Sequence, residues 1–115
     1  MKKATARDLC KVIFYNQEGF ALFKSANCYL CRALEPKIQR LIEKYKNINF
    51  YFVDVDDEDA QADMFRDYVD GVPSAILIKE GKFFPLKDPP NPDRESWFGY
   101  DYLDKEIIKF FKEEE

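Results

Sequence analysis

Cys28 and Cys31 are the residues whose type and spacing can do chemistry in this chain. On a helix, two thiols three positions apart lie about one turn from each other, close enough to bond. A sulfur at the front of that helix also sits beside unpaired backbone N–H groups and the positive end of the helix dipole, which favour a thiolate. Cys28 is therefore expected to be the more acidic thiol and the attacking one, and Cys31 the resolving one. The chemistry available to such a pair is thiol-disulfide exchange, with the Cys28–Cys31 disulfide as the only redox group and no other cofactor. Other uses of cysteine fit less well. The chain has three cysteines and no histidine, so a monomer cannot supply the four ligands of a structural zinc site, although a metal bridging two chains stays open. Two cysteines this close cannot tie distant segments together as a disulfide scaffold.

The elements around the pair follow from periodicity. Leu9, Val12 and Ile13 fall at helical spacing after Thr5, a suitable N-cap, and Gly19 is expected to close the turn that follows. Phe20 to Lys24 reads as a buried strand leading through Ser25-Ala26-Asn27 to the cysteines. Leu30, Leu34, Ile38, Leu41, Ile42 and Tyr45 then mark a helix that starts at the motif and runs to about Lys46. Ile48 to Val55 is apolar on both faces and needs cover on both. A helix is expected from Glu58 to Tyr68, a hairpin from Ser74–Lys79 and Lys82–Leu86, and a closing helix from Asp101 to Lys112. Strands alternating with helices and ending in a hairpin predict an α/β sandwich: a central mixed sheet of about four strands, the first short or absent, with helices on both faces. Residues 1–115 are expected to form a single domain.

Composition narrows the partners. The net charge is −4, with both signs interspersed, which argues against nucleic acid or an anionic membrane as the main partner. No apolar stretch approaches the roughly 20 residues a membrane span needs. Lys2 and Lys3 are followed by polar residues rather than a signal-peptide core, so the expected location is cytoplasmic.

The segment Phe20-Ala-Leu-Phe-Lys-Ser-Ala-Asn-Cys28-Tyr-Leu-Cys31, with Pro36 five residues on and Val72-Pro73-Ser74 before a strand, resembles thioredoxin, and the likeness runs over nearly the whole chain from Thr5. The resemblance implies a thioredoxin-like fold and a protein-disulfide oxidoreductase acting on protein or peptide disulfides with a separate electron donor or acceptor. It implies a cis Pro73 against the sulfurs, a kink at Pro36, and a substrate groove lined by Val72 and Gly99. Tyr29 and Leu30 join Val72, Pro73 and Gly99 as expected substrate contacts. Proline lacks an N–H, and a cis bond before it would let the Val72 backbone face an extended substrate, whereas a trans Pro73 would simply start a strand. The sequence also departs from the family pattern. Tyr29-Leu30 replaces Gly-Pro between the cysteines, Asn27 replaces an aromatic, Leu22 stands at the buried acid and Phe52 at its lysine partner. Deprotonation of Cys31 is then left to water or to a nearby group such as Lys24.

Other features read as structural. Cys10 is expected to be a small buried hydrophobe. Asp54 to Asp63 lacks the Gly and Glu of a calcium loop and reads as a solvated helix start. Trp97, Phe98 and Tyr100 are expected to pack in the core before they serve as a docking surface. With its first strand missing, Ile48–Val55 is expected to be an exposed edge, giving a monomer or weak dimer. The alternative function is a redox-inactive thioredoxin-fold binding module, whose cysteines are present but not cycled.

Overall fold

The structure is a computed structural model that describes residues 1–112. Its elements are β1 (Lys2–Lys3), α1 (Ala6–Phe14), β2 (Gly19–Lys24), α2 (Tyr29–Lys44), β3 (Asn49–Asp54), two 3-10 turns (Glu58–Ala60 and Ala62–Phe65), β4 (Ser74–Lys79), β5 (Lys82–Pro85) and α3 (Tyr100–Lys112).

Helix α1 begins where the sequence says it should. The Thr5 hydroxyl accepts the Asp8 N–H at 3.0 Å and the Asp8 carboxylate accepts the Thr5 N–H at 2.8 Å, so two otherwise orphaned donors are satisfied. These bonds hold the Asp8 carboxyl below the ordinary carboxylate value, the Thr5 backbone N–H being the main cause. The turn after α1 differs from expectation. Asn16 adopts the left-handed conformation, at φ 60°, while Gly19 is already the first residue of β2. What requires glycine there is space, since a Cβ on Gly19 would lie 3.0 Å from the Tyr51 ring.

The sheet has five strands in the order β1-β3-β2-β4-β5. β1 with β3 and β3 with β2 run parallel; β2 with β4 and β4 with β5 run antiparallel. Period-two alternation divides the core in two. Phe20, Leu22, Phe50, Ala75 and Leu77 face α2 and α3, where they meet Leu34, Ile38, Leu41, Leu103 and Ile107. Ala21, Phe23, Val53, Ile76 and Ile78 face α1 and the 58–69 segment, meeting Leu9, Val12, Ala60 and Phe65. This is the mixed sheet covered on both faces that the sequence predicts, with one strand more. Phe98 is buried, and Trp97 and Tyr100 pack against the first cluster, so these aromatics belong to the core. Pro36 lies inside α2, where its missing N–H removes one helical hydrogen bond.

Two further expectations are corrected. β3 is not an open edge: Lys2 and Lys3 pair with Tyr51 and Phe52, and the Ala4 N–H donates to the Phe52 carbonyl at 2.9 Å. Two lysines carry no strand pattern, so this pairing is imposed by the neighbour. The resulting edge is short and doubly charged, which discourages further strand addition. Nor is Glu58–Tyr68 a continuous helix. Gln61 interrupts it in the left-handed conformation, at φ 53°. One helix at 100° per residue would point Ala60 and Phe65 about 140° apart; the break allows both to be buried, at 1% and 3% exposure.

Candidate active site

The site is built at the carboxyl ends of β2 and β3. From β2 the chain turns through Ser25, whose hydroxyl bonds Asp56 in the loop after β3 and whose carbonyl accepts the Cys28 N–H at 3.2 Å. Cys28 is thereby fixed in extended conformation as the N-cap of α2. Its Sγ accepts the backbone N–H of Cys31 at 3.1 Å, the place a serine or aspartate oxygen takes in an ordinary cap. The two cysteines are disulfide-bonded with their Cα atoms 5.2 Å apart. Cys28 is half-buried, whereas Cys31 is only 1% exposed. α2 is 16 residues long and has no acidic residue in its first turn, so nothing there opposes the positive field at its start.

The other expected contacts are placed as follows. Tyr29 is exposed beside Cys28 and Leu30 is half-buried. The Val72–Pro73 bond is cis, Pro73 is buried, and Val72 is half-buried against the α1-side core. Neither the Val72 N–H nor its carbonyl has a backbone partner among the described residues. Gly99 directly precedes α3 and its carbonyl accepts the Leu103 N–H at 3.1 Å; a Cβ there would meet nothing within 4 Å. Cys10 is a free, half-buried thiol packed at the edge of the α1-side core. Among the described residues no group of three or more His, Cys, Asp or Glu is arranged to hold a metal ion. No helix among them is long and apolar enough to cross a membrane.

A thioredoxin family model matches residues 6–93. The chain belongs to the thioredoxin family. It is 33% identical over 60 residues to the H-type thioredoxin of Fagopyrum esculentum, covering 52% of this chain and 50% of that protein. To thioredoxin Asp f 28 of Aspergillus fumigatus it is 38% identical over 55 residues, covering 48% and 49%. The chain thus spans about half the length of the curated relatives it matches. Structural likeness is broader. Oxidized mitochondrial thioredoxin 3 from Saccharomyces cerevisiae superposes with a TM-score of 0.74 at 21% identity, over 95% of this chain and 94% of that one, a likeness of fold. Fasciola hepatica thioredoxin gives 0.68 at 26% identity, over 95% and 98%.

Within that family frame, Leu22 is fully buried beside its register partner Phe52, so the position beneath the motif holds no carboxylate. An ion pair lies nearby. The Lys24 ammonium bonds Glu35 at 2.7 Å and sits 4.3 Å from the centre of the Phe52 ring. On the other flank of α2, Lys37 pairs with Asp93 at 3.2 Å and bonds the buried Ser96, fastening the loop between β5 and α3, which carries Pro89, Pro90 and Pro92, to the helix. The Glu95 backbone N–H, followed by Lys37, holds the Asp93 carboxyl below its ordinary value. Sequence reading named Lys24 but missed Glu35, Lys37 and the exposed Arg32 one turn beyond Cys28. Each has its partner or its relevance across an element boundary or a helical turn, where linear order carries little signal.

Proposed function

We propose that this thioredoxin-family chain is a thiol-disulfide oxidoreductase acting on protein or peptide disulfides, with Cys28 as nucleophile and Cys31 as resolving thiol. One observation carries the assignment of roles: the Cys28 sulfur caps α2 and accepts a backbone N–H, while the Cys31 sulfur is shielded behind it. In the reduced protein, that N–H and the helix dipole would stabilise negative charge on the Cys28 sulfur.

The reaction is a two-electron exchange in two displacements. The Cys28 thiolate attacks one substrate sulfur; a Cys28–substrate bond forms, the substrate S–S bond breaks, and the departing thiolate takes a proton. Cys31 then loses its proton and attacks the Cys28 sulfur, forming the Cys28–Cys31 bond and releasing the second substrate thiol. The substrate disulfide is reduced and the protein dithiol oxidised. A separate donor returns two electrons, and the same steps run in reverse when the protein acts as oxidant. Val72, preceding Pro73, offers an extended substrate an N–H and a carbonyl that have no backbone partner among the described residues, with Tyr29, Leu30 and Gly99 as the rest of the contact surface. A reducing compartment, the cytoplasm in the simplest case, would keep the pair ready as a dithiol.

Insulin reduction with dithiothreitol as donor tests the proposal. The wild type should accelerate precipitation of the insulin B chain and Cys28→Ser should not. Equal rates for the two would remove the enzyme and leave the binding-module reading.

A further inference from the structure

A cavity of about 660 Å³ lies between β5, the loop that follows it and α3. None of Cys28, Cys31, Val72, Pro73 or Gly99 lines it, so disulfide exchange makes no use of it. Its volume is that of a site for a small organic molecule. Phe84 opposes Leu77 across the β4–β5 pair and meets the Phe110 ring edge-on at 5.1 Å, yet stays 48% exposed to the cavity and solvent. The loop wall is held before any ligand arrives. The Leu86 N–H donates to the Ala75 carbonyl at 2.8 Å, the Tyr102 hydroxyl to the Lys87 carbonyl at 2.7 Å, and the Trp97 indole N–H to the Asp88 carboxylate at 3.1 Å. A ligand entering such a site has little chain to order.

Charge says what enters it. Lys79 opposes Lys82 in register, and its ammonium donates to the Phe110 and Phe111 carbonyls at 3.3 and 3.4 Å, so the hairpin meets the last turn of α3 at one end of the cavity. Lys79, Lys82 and Lys109 outnumber Glu80 there. Lys82 and Lys109 are exposed, and their ammoniums have neither an ion pair nor a hydrogen bond among the described residues. At the other end Lys87 stands with Asp88 and Glu106 around Tyr102, whose phenol is pushed up by burial and then by those two carboxylates. An anionic group is thus drawn to the hairpin end, where it keeps part of its hydration, while an aromatic body gains contact with the rings of Phe84 and Phe110.

We propose that this cavity binds a small aromatic carboxylate or sulfonate, its ring against Phe84 and Phe110 and its anionic group facing Lys82 and Lys109. The test titrates the chain with naphthalene-2-carboxylate in a calorimeter, with the neutral carboxamide and naphthalen-2-ylmethylammonium as comparisons. The carboxylate should bind one-to-one with a dissociation constant of about 1 mM or tighter. It should bind about fivefold more tightly than the carboxamide, as one well-placed surface ion pair allows, and the ammonium should bind weakest. Lys82→Glu combined with Lys109→Glu, both at exposed positions, should weaken the carboxylate by about tenfold or more, because attraction becomes repulsion at two sites, and should leave the carboxamide unchanged. Phe84→Ala should weaken both compounds. No saturable binding to wild type, a carboxamide or ammonium that binds as tightly as the carboxylate, or a carboxylate affinity that survives the double lysine variant would overturn the proposal. Tyr29→Ala, which removes the exposed ring beside Cys28, should bind the carboxylate as wild type does; a loss there would move the ligand to the cysteine face and equally overturn it.

Discussion

Replacing Arg32 by glutamate reverses the charge one helical turn beyond Cys28, on a side chain that leans back over the turn carrying the sulfur. Arg32 is exposed and its N–H donates to the Cys28 carbonyl at 3.2 Å, so the helix is continuous between the two. At about 7 Å in water, each unit of charge contributes roughly 0.6 kcal/mol to the thiolate, and the swing from plus one to minus one roughly 1.2 kcal/mol. That corresponds to about a sevenfold smaller thiolate population. Part of the loss is recovered, because a more basic thiolate is intrinsically more nucleophilic with a Brønsted slope of about 0.4–0.5, leaving a net slowing of about threefold. The assay is iodoacetamide alkylation below the titration midpoint, in a Cys10→Ser, Cys31→Ser background where Cys28 is the only thiol. Repeating it in about 1 M salt, where the screening length falls to about 3 Å, should nearly close the gap. An unchanged rate at low salt, or a slowing that salt does not reduce, would refute the claim that Cys28 reactivity is set by the local field at the start of α2.

Three further outcomes follow from the packing. Leu34→Ala, at a fully buried position one turn past the motif, should lower unfolding stability by about 2–5 kcal/mol in denaturant titrations, and a loss below about 1 kcal/mol would contradict the core assignment. The depressed Asp93 carboxyl contributes stability that is present above its unfolded value and lost as pH falls through its folded one. Wild type should accordingly exceed Asp93→Asn at neutral pH and converge with it in acid, and a parallel pH profile would rule that out. Replacing both Lys2 and Lys3 by threonine should raise self-association at high concentration in light scattering, since the charges on the β1 edge are removed; an unaltered mass would show that they do not protect it.

Where local chemistry and tertiary structure agree, the sequence was readable. Thr5 and Asp8 announce α1, the apolar stripe from Leu30 to Tyr45 announces α2, and the cysteine spacing places the pair at its start. The architecture follows from strands that are apolar on both faces. What escaped reading was imposed from a distance. β1 is a strand only because β3 offers it partners, and the segment after Asp57 breaks because Ala60 and Phe65 must both reach the core. The Lys24–Glu35 pair joins a strand to a helix, and Lys37 reaches a loop 56 residues away.

Cys28 must meet the substrate before Cys31 does. A reduced Cys31→Ser variant mixed with a disulfide-bonded protein substrate, quenched in acid and mapped by mass spectrometry, measures this directly. The prediction is a stable mixed disulfide through Cys28, with little trapping through Cys31 in the Cys28→Ser counterpart. Abundant adducts on Cys31 and none on Cys28 would contradict it.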